Sequence, residues 1–218
     1  MGNKQLSVVL FVFVCHELAF SSSTLPQLCN KDQSIPLLKF KQTLIVSSFT
    51  SGCVIIYGQN SYPKTKMNTW DMSRDCCLWD GVICDEFTGH VIELDLSCSH
   101  LEGIIDSNCS LFQLAHLQKL DLYFNDFYPS EISHLFGRFS HLTHLDLSYS
   151  NFTGLHGALP ESIFHLLNLQ VLNLGGNFQL SGYFPKTKWN SSASLRGLRL
   201  SYVPFSAFPG THFRPILM

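Results

Sequence analysis

Cysteine is the residue type in this sequence with the widest choice of chemistry, because a thiol can ligate a metal or form a disulfide. The 218-residue chain holds eight cysteines, and three of them cluster at Cys76, Cys77 and Cys84. Zinc sites commonly use C-x-x-C pairs, and the sequence has no such pair. A zinc site is therefore disfavoured, and disulfide bonds are the preferred interpretation for a chain that enters an oxidising compartment.

Serine, histidine and aspartate are common, but their arrangement does not point to an enzyme. The sequence contains no G-x-S-x-G, H-E-x-x-H, phosphate-binding, dinucleotide-binding or protein-kinase motif. His141 and His144 are three residues apart on a predicted strand, which would place them on opposite faces and unable to share a metal. We therefore expect no catalytic residue, no metal site and no cofactor.

Composition and charge narrow the classes of partner. Only 14% of the residues are charged, compared with about 25% in an average soluble protein, and the formal net charge is −2. Nucleic-acid-binding domains usually carry a stripe of lysine and arginine, and this sequence has none. We therefore expect no nucleic-acid partner.

Residues 1–23 have the layout of a secretory signal peptide. Lys4 is followed by the apolar run Leu6–Val14, and small residues come next at Ala19 and Ser21–Ser23. The run is too short for a membrane span of about 20 residues, and no other stretch reaches that length. We expect a secreted, extracellular chain without a membrane span, and the alternative is an uncleaved N-terminal anchor.

A repeat of the form L-x-x-L-x-L-x-x-N runs through the chain from residue 91 onward. Its five units are centred, at intervals of 25 to 27 residues, on Leu94, Leu120, Leu145, Leu172 and Leu198. This frame and period are typical of leucine-rich repeats, in which stacked strands bury a core that one repeat cannot form alone. The predicted fold is an α/β leucine-rich-repeat solenoid with short parallel strands on the concave face and an irregular convex side.

The residue at the last position of the repeat frame predicts how well the turn after each strand is stabilised. In the five units it holds Ser99, Asn125, Ser150, Asn177 and Val203. An asparagine amide can pair with backbone groups that the turn would leave without partners. A serine hydroxyl can do part of this and a valine cannot, so we expect the fifth turn to be less well held.

Residues 24–89 differ in composition from the repeats and are predicted to cap them. Ser34–Val46 is predicted as an amphipathic helix, with Ser34 near its N-cap and Pro36 in its first turn. A run rich in tryptophan and cysteine follows, from Trp70 to Cys84. Because the end of a solenoid exposes its core, we expect this region to cover the first of about five repeats, which occupy residues 90–206. An atypical tail follows at 207–218.

The pattern W…CC-x-W-x-G-V-x-C directly before the repeats resembles the N-terminal cap of plant extracellular leucine-rich-repeat proteins. The likeness extends to Cys29, the segment PLLKFK, the run LDLSCSHLEG and Thr187–Leu195. Together these features are similar to receptor-like proteins of the Cf disease-resistance class. The resemblance implies one disulfide between Cys77 and Cys84 and another between Cys29 and Cys76.

The remaining cysteines leave several pairings open. Loss of Cys15 with the signal peptide would leave seven cysteines, so that one of them has no partner. Cys53 and Cys98 are candidates for a disulfide across the junction of cap and repeats, which would leave Cys109 as the free thiol. The alternative is that Cys53 or Cys98 is the odd one, because spacing alone does not determine connectivity.

The resemblance also implies a function in recognition. Members of this class bind protein or peptide ligands outside the cell and work with a leucine-rich-repeat receptor kinase as co-receptor. They carry many more repeats, a membrane span and a short cytoplasmic tail, so the chain resembles a truncated N-terminal part of one. It would be apoplastic, or at the plasma membrane if a longer form carries the span. The alternatives are a secreted inhibitor of a cell-wall hydrolase, similar to polygalacturonase inhibitors, and a nonfunctional gene fragment.

Ligand contacts are expected on the concave face, where solenoids commonly bind. The residues directly after the central leucines include Asp95, Asp121, Asp146 and Arg199. The aromatic candidates near the strand ends are Tyr123, Phe124, Tyr149 and Tyr202. The adjacent carboxylates would suit a basic peptide or a cation. The alternatives are solvated aspartates that are typical of the repeat, and rings packed against the loop at the rim.

Three N-x-[S/T] sequons, at Asn108, Asn151 and Asn190, are expected glycosylation sites in a secreted chain. Asn108 and Asn190 lie away from the predicted strands. Asn151 directly follows the third strand, so a glycan there would narrow the binding surface.

Overall fold

The computed structural model describes residues 28–47, 53, 65–154, 159–182 and 194–204. The predicted signal peptide, the predicted tail and the sequon at Asn190 lie outside the described residues, so the expectations about them stay predictions. Within the segments that are described, no helix combines the length and the apolar character needed to cross a membrane.

The strands of the repeats form one continuous sheet. In chain order the described strands are β1 (Leu44–Val46), β2 (Val82–Cys84), β3 (Val91–Asp95), β4 (Leu101–Gly103), β5 (Lys119–Asp121), β6 (His144–Asp146), β7 (Val171–Asn173) and β8 (Gly197–Arg199). The large sheet has the order β2–β3–β5–β6–β7–β8, and its neighbours are parallel except for β2 against β3. The five central leucines are direct partners in this register. The predicted leucine-rich-repeat solenoid is therefore confirmed.

Short helical turns connect the strands on the convex side. Among the described segments, the α-helices with defined bounds are α1 (Lys31–Gln42), which precedes the repeats, and the four-residue α2 (Glu161–Phe164), between β6 and β7. The 3-10 helices span Lys66–Thr69, Cys76–Leu78, Ser110–Gln113 and His134–Arg138. Neighbouring turns bond to one another, since the hydroxyl of Ser162 donates to the carbonyl of His134 at 2.7 Å. The convex side is thus irregular, as the repeat pattern predicts.

Leucine and phenylalanine fill the interior between the sheet and the convex turns. The central leucines of the first four repeats are at most 1% exposed, because alternate residues of a strand face the same side. Behind them lie four phenylalanines without exposed surface, at Phe127, Phe136, Phe139 and Phe152. The rings of Phe127 and Phe152, one repeat apart, are 5.5 Å apart between centroids. The core is therefore continuous from one repeat to the next.

Two asparagines hold the turns after β5 and β7. The amide nitrogen of Asn125 donates to the carbonyls of Leu96 and Leu122, both at 2.9 Å. Its amide oxygen accepts the N–H of Leu101 at 3.0 Å. Asn177 forms the same three kinds of bond two repeats further on, at 2.8 to 2.9 Å. The predicted structural role of these asparagines is confirmed.

Serine and valine hold the equivalent turns less completely. The hydroxyl of Ser150 lies 2.6 Å from the carbonyl of Leu122 and 3.1 Å from that of Ser148. Because a hydroxyl carries one hydrogen, it satisfies one of these carbonyls at a time. At Val203 the contact is a backbone one, an N–H donated to Leu200 at 3.2 Å. The expected ranking of asparagine, serine and valine agrees with these contacts.

The helix before the repeats is shifted from its predicted position. The sequence predicts a helix over Ser34–Val46, but α1 starts at Lys31, with Asn30 as N-cap, and ends at Gln42. The residues of β1 pair antiparallel with β4 instead of continuing the helix. Two consecutive β-branched residues, Ile45 and Val46, favour a strand when an edge is available, and β4 supplies that edge.

Two tryptophans form the centre of the N-terminal region. Trp70 and Trp79 are at most 2% exposed, and their rings stack with centroids 5.5 Å apart. Each indole nitrogen donates to a backbone carbonyl, Trp70 to Asp80 at 3.0 Å and Trp79 to Asp71 at 3.2 Å. Since β2 pairs with β3, this region closes the edge of the parallel sheet at the first repeat.

Candidate functional site

Six of the seven cysteines among the described residues form disulfides. Bonds join Cys29 to Cys76, Cys53 to Cys98 and Cys77 to Cys84. The sulfurs of Cys29, Cys76 and Cys77 lie within 4.8 Å of one another, which is the spacing of metal ligands. All three are bonded to other sulfurs, so as disulfides they are not thiolate ligands for zinc.

Cys109 is the free cysteine of the described residues, and it is buried. Burial raises the pKa of its thiol to about 11, and the nearby charge of Asp106 adds to this shift. Because the thiolate is the nucleophile, this cysteine is poorly suited to covalent catalysis.

The concave face brings the predicted aspartates together in one row. Asp95 is the backbone partner of Asp121, and Asp121 is the partner of Asp146. The row continues with Asn173 and ends at the exposed Arg199. Neighbouring strands are about 4.8 Å apart, so the three carboxylates lie side by side as the repeat predicts.

Each aspartate of this row has a local structural role. One oxygen of each accepts the backbone N–H two residues later, at 2.8 to 2.9 Å. Asn173 makes the same bond to Gly175 at 3.2 Å. These bonds end the strand by means of an Asx-turn, which explains why the first four repeats have Asp or Asn here, whereas Arg199 in the fifth cannot form this turn. The structural interpretation accounts for one oxygen of each carboxylate and leaves the other oxygen open to partners.

The other contacts of these carboxylates differ. The amine of Lys66 lies 2.6 Å from the Asp95 oxygen that also accepts the Ser97 N–H. The Asn173 amide donates to the second oxygen of Asp146 at 2.8 Å. Asp121 accepts only the N–H of Tyr123, at 2.8 Å, among the contacts of the described residues. The middle carboxylate of the row therefore lacks a side-chain donor within the described part of the chain.

The pKa values of the row reflect this difference. Burial raises the pKa of Asp121 to about 6, and the charges of Asp146 and Asp95 add to the increase. Burial also acts to raise the pKa of Asp95, but hydrogen bonds from Lys66 and Ser97 outweigh it and lower that pKa overall. Asp121 is thus the carboxylate of the pair with the more weakly stabilised charge.

The predicted aromatic residues lie in a second row at the carboxyl ends of the strands. We name the aromatic ridge for its five members, Tyr123, Phe124, Tyr149, Phe178 and Tyr202. Phe124 and Tyr149 stack with centroids 5.9 Å apart, and Phe178 lies 6.4 Å from Tyr149 and 6.3 Å from Tyr202. Tyr123 packs edge-on against Phe124 at 5.4 Å. Four of the members were predicted individually, and the structure joins them into one surface.

Three members of the ridge have an unusual backbone conformation. Phe124, Tyr149 and Tyr202 have φ values of +58°, +52° and +61°, in the left-handed region. Backbone hydrogen bonds to the next repeat continue at these residues, since the N–H of Phe124 donates to the carbonyl of Ser148 at 3.1 Å. Tyr149 and Tyr202 are 38% and 69% exposed, so packing against a rim loop does not bury them.

Phe178 is the ridge member that sequence reasoning missed. The fourth repeat has Gly176 where the others have a larger side chain, so its aromatic position looked empty. A Cβ on Gly176 would lie 2.5 Å from the ring of Tyr149, so the glycine leaves room for that ring. Phe178, two residues later and 63% exposed, continues the ridge instead. The signal that could have identified Phe178 is its place directly after Asn177, the last position of the repeat frame.

Three histidines, His90, His116 and His141, form a row of neighbouring rings that precedes the strands, whereas the ridge follows them. The sequence predicts that His141 and His144 lie on one strand. His144 is the first residue of β6, but His141 precedes that strand. Its ring is 6.0 Å from that of His116, which stacks on His90 at 3.8 Å. Burial and the two neighbouring histidines lower the pKa of His116.

Two sequons lie in the described residues. Asn108 is exposed and precedes the 3-10 helix Ser110–Gln113, away from the sheet. Asn151 is half-buried, and its amide donates to the carboxylate of Asp126 at 3.0 Å. Asn108 is therefore the more accessible of these two predicted glycan sites.

The geometry defines the class of protein as a leucine-rich-repeat solenoid with disulfides at its N-terminal end. The family model "Leucine Rich Repeat" matches residues 141–166, which span β6. Receptor-like protein Cf-9 of Solanum pimpinellifolium is 40% identical over an alignment that covers 92% of this chain and 31% of the relative. This chain belongs to the plant leucine-rich-repeat receptor-like proteins, and it spans about a third of the length of that relative.

Solved structures of plant ectodomains share the fold. A chain in the BIR3–SERK2 complex from Arabidopsis thaliana matches with a TM-score of 0.58 and 29% identity, covering 78% of this chain and 81% of that one. The ectodomain of the Arabidopsis receptor kinase HAESA, in complex with an extended IDA peptide hormone, matches with a TM-score of 0.54 and 27% identity. That match covers 80% of this chain and 29% of the HAESA chain.

Proposed function

We propose that this chain is an extracellular recognition module that binds a protein or peptide ligand on its concave face. The observation that carries the proposal is the exposed aromatic ridge beside a row of carboxylates. Exposed tyrosine and phenylalanine are effective anchors at protein contacts, and the hydrogen-bonded sheet holds these rings in fixed positions. The three disulfides agree with an oxidising, extracellular location.

The relatives support the same proposal. Cf-9 is by name a receptor-like protein, and the matched HAESA structure holds a peptide hormone. The BIR3–SERK2 match is a complex, which agrees with contact between such an ectodomain and a second protein. Within a longer receptor, this chain would act at the plasma membrane with a leucine-rich-repeat receptor kinase as co-receptor. In this proposal residues 24–89 are the cap and 90–206 carry the ligand surface.

A peptide selection tests this function. The full chain is produced through a secretory pathway, checked for a monomeric elution volume and a single melting transition, and used to select short random peptides displayed on phage. Selected peptides should bind the chain at least about tenfold more tightly than the Tyr149→Ala/Tyr202→Ala variant, a difference of about 1.4 kcal/mol.

Phe87→Ala is the matched control, because Phe87 is 80% exposed but lies in the turn before β3, at the opposite end of the strand from the ridge. It should bind the selected peptides as the unchanged chain does. Failure to select any peptide, or equal binding by the ridge variant, would contradict the proposed function.

A further inference from the structure

The aromatic ridge is an apolar surface with three exposed rings, and its first two members, Tyr123 and Phe124, are half-buried. Its rings follow one another across the strands, and its members Tyr149, Phe178 and Tyr202 are 38%, 63% and 69% exposed. Contiguous exposed apolar surface on a soluble protein commonly marks an interaction site. Tyrosine and phenylalanine lose little conformational entropy on binding, because their side chains have two rotatable bonds.

The carboxylates beside the ridge differ in their side-chain partners. On the concave face Lys119 pairs with Glu93 at 3.0 Å, and Lys66 pairs with Asp95 at 2.6 Å. Asp146 accepts the neutral amide of Asn173, which bonds the carboxylate without cancelling its charge. Asp121, between Asp95 and Asp146, has no side-chain donor among the described residues and is bonded to the backbone of Tyr123, the first ring of the ridge. A carboxylate without a side-chain donor therefore lies at the start of the apolar surface.

We propose that the ridge and Asp121 together bind one extended segment of a partner polypeptide, with a basic side chain paired to Asp121 and apolar side chains packed on the rings. This inference rests on the proposed function and specifies its ligand. The backbone of Tyr123 bonds to Asp121, so the chain that carries the carboxylate also carries the first ring of the ridge, and aromatic faces attract cations. Arginine suits this position better than lysine, because its planar guanidinium can bond to a carboxylate and stack on a ring at once.

The spacing of the ridge matches an extended chain. Successive ring centroids from Phe124 to Tyr202 are 5.9, 6.4 and 6.3 Å apart. Two residues of a polyproline or β-type segment advance about 6.2 to 6.8 Å. A segment that runs along the ridge can therefore place every second side chain between successive rings.

The pH dependence of binding follows from the raised pKa of Asp121, which burial sets at about 6. Below that pH the carboxylate is neutral, so it attracts a basic side chain less than it does at pH 7.5. The charged groups around it are Asp95, Asp146 and Lys66, and His144 lies on the neighbouring strand β6. Comparison with an Asp121→Asn variant separates the contribution of Asp121 from that of the other groups.

The test uses the full secreted chain and the peptides selected from the random phage library. The selected sequences should be enriched in arginine or lysine next to proline or apolar residues. By fluorescence polarisation, replacing that arginine with its neutral isostere citrulline should weaken binding about tenfold, a loss of the size measured for close charge pairs at interfaces. The Asp121→Asn variant should lose the same factor, and the two changes combined should lose little more than either alone.

The exposed carboxylate of Asp106, in the loop before Ser110–Gln113, supplies the matched control. Asp106→Asn should leave affinity unchanged and should keep the loss of affinity between pH 7.5 and pH 5, which Asp121→Asn should reduce. Selected peptides without basic residues, or full affinity in Asp121→Asn, would overturn this inference. If the ridge variant still loses binding in that case, the proposed function stands and only the basic ligand is wrong. If the ridge variant also binds normally, both proposals fail.

Discussion

The N-terminal region and the repeats of this protein are stabilised in different ways. The N-terminal region relies on the disulfides Cys29–Cys76 and Cys77–Cys84 and on the stacked pair Trp70 and Trp79. The described repeats rely on leucine layers and on side-chain amides that bridge neighbouring turns. An end unit has a neighbour on one side only, so covalent bonds supply stability that an inner repeat gains from two neighbours.

This difference explains where recognition can develop. In the repeats, the buried leucines and the turn asparagines suffice for folding, so the side chains on the concave face are free to differ from one repeat to the next. The row that starts at Asp95 shows this, because it changes to Asn173 and Arg199 without a change of register. In the N-terminal region, the cysteines form disulfides and Trp70 and Trp79 are buried, so the role of these side chains is structural.

Breaking the N-terminal region should have the largest effect on stability. Trp79→Ala removes a buried ring that stacks on Trp70, and should lower the free energy of unfolding by about 3 to 5 kcal/mol. Chemical denaturation followed by circular dichroism measures this. The exposed Phe87→Ala variant should change it by less than about 0.5 kcal/mol. A loss below about 1 kcal/mol for Trp79→Ala would show that the repeats do not need this core.

Breaking a turn in the repeats should have the next largest effect. Asn125→Ala leaves buried backbone groups of Leu96, Leu122 and Leu101 without their side-chain partner, and should cost about 3 kcal/mol. Asn125→Ser should cost less, since the serine at position 150 still bonds one carbonyl in the same frame. Denaturant melts of both variants measure this order. Equal losses would mean that the amide oxygen and second hydrogen of Asn125 contribute nothing.

Neutralising Asp121 should stabilise the repeats, unlike the two changes above, which destabilise the protein. A carboxyl whose pKa is raised from 3.8 to about 6 in the folded state opposes folding when it is ionised. Asp121→Asn should therefore increase stability by about 1 kcal/mol at pH 7.5, a figure reduced for partial exposure, and asparagine can keep the Asx-turn as Asn173 does.

The gain should shrink as the pH falls through 6 towards 4, because the folded state then holds a neutral side chain at position 121 in both proteins, a protonated carboxyl or an amide. Thermal melts at several pH values measure this. A gain that is constant with pH would show that it does not come from the charge of Asp121.

Cys109 should give the smallest effect on stability. Cys109→Ala removes one buried sulfur and should cost about 1 kcal/mol. In the unchanged chain the raised pKa of about 11 reduces the thiolate about a hundredfold, so alkylation at pH 7.5 should be slow until denaturant is added. Mass spectrometry after timed iodoacetamide treatment measures this. Rapid native labelling at Cys109 would contradict its burial.

The parts of the fold that could be predicted were those repeated in the sequence. The central leucines specify the strands and their register, because any other alignment would expose part of the leucine core. The turn role of Asn125 was also predictable, since its side chain has the donors and the acceptor that a turn leaves unpaired. Single-copy features were less predictable. The helix was predicted too far along the chain because the pairing of β1 with β4 joins residues about 60 positions apart.

The candidate site was predictable by residue but not as a surface. Asp121 and Tyr149 could be chosen from the sequence, whereas the lack of a side-chain donor at Asp121 depends on where Lys66 and Asn173 lie. Phe178 was missed because it occupies a different frame position from the other ridge members, and only the course of the chain after Gly176 brings it into line.

The sequence by itself determined the solenoid, its register and the turn amides, because leucine burial and backbone hydrogen bonding repeat with the same period as the residues. The tertiary structure alone decided how β1 pairs, which carboxylate remains without a side-chain donor and how the rings join into one ridge. These features depend on contacts between residues from different repeats, or from the N-terminal region and a repeat, and no local pattern specifies them.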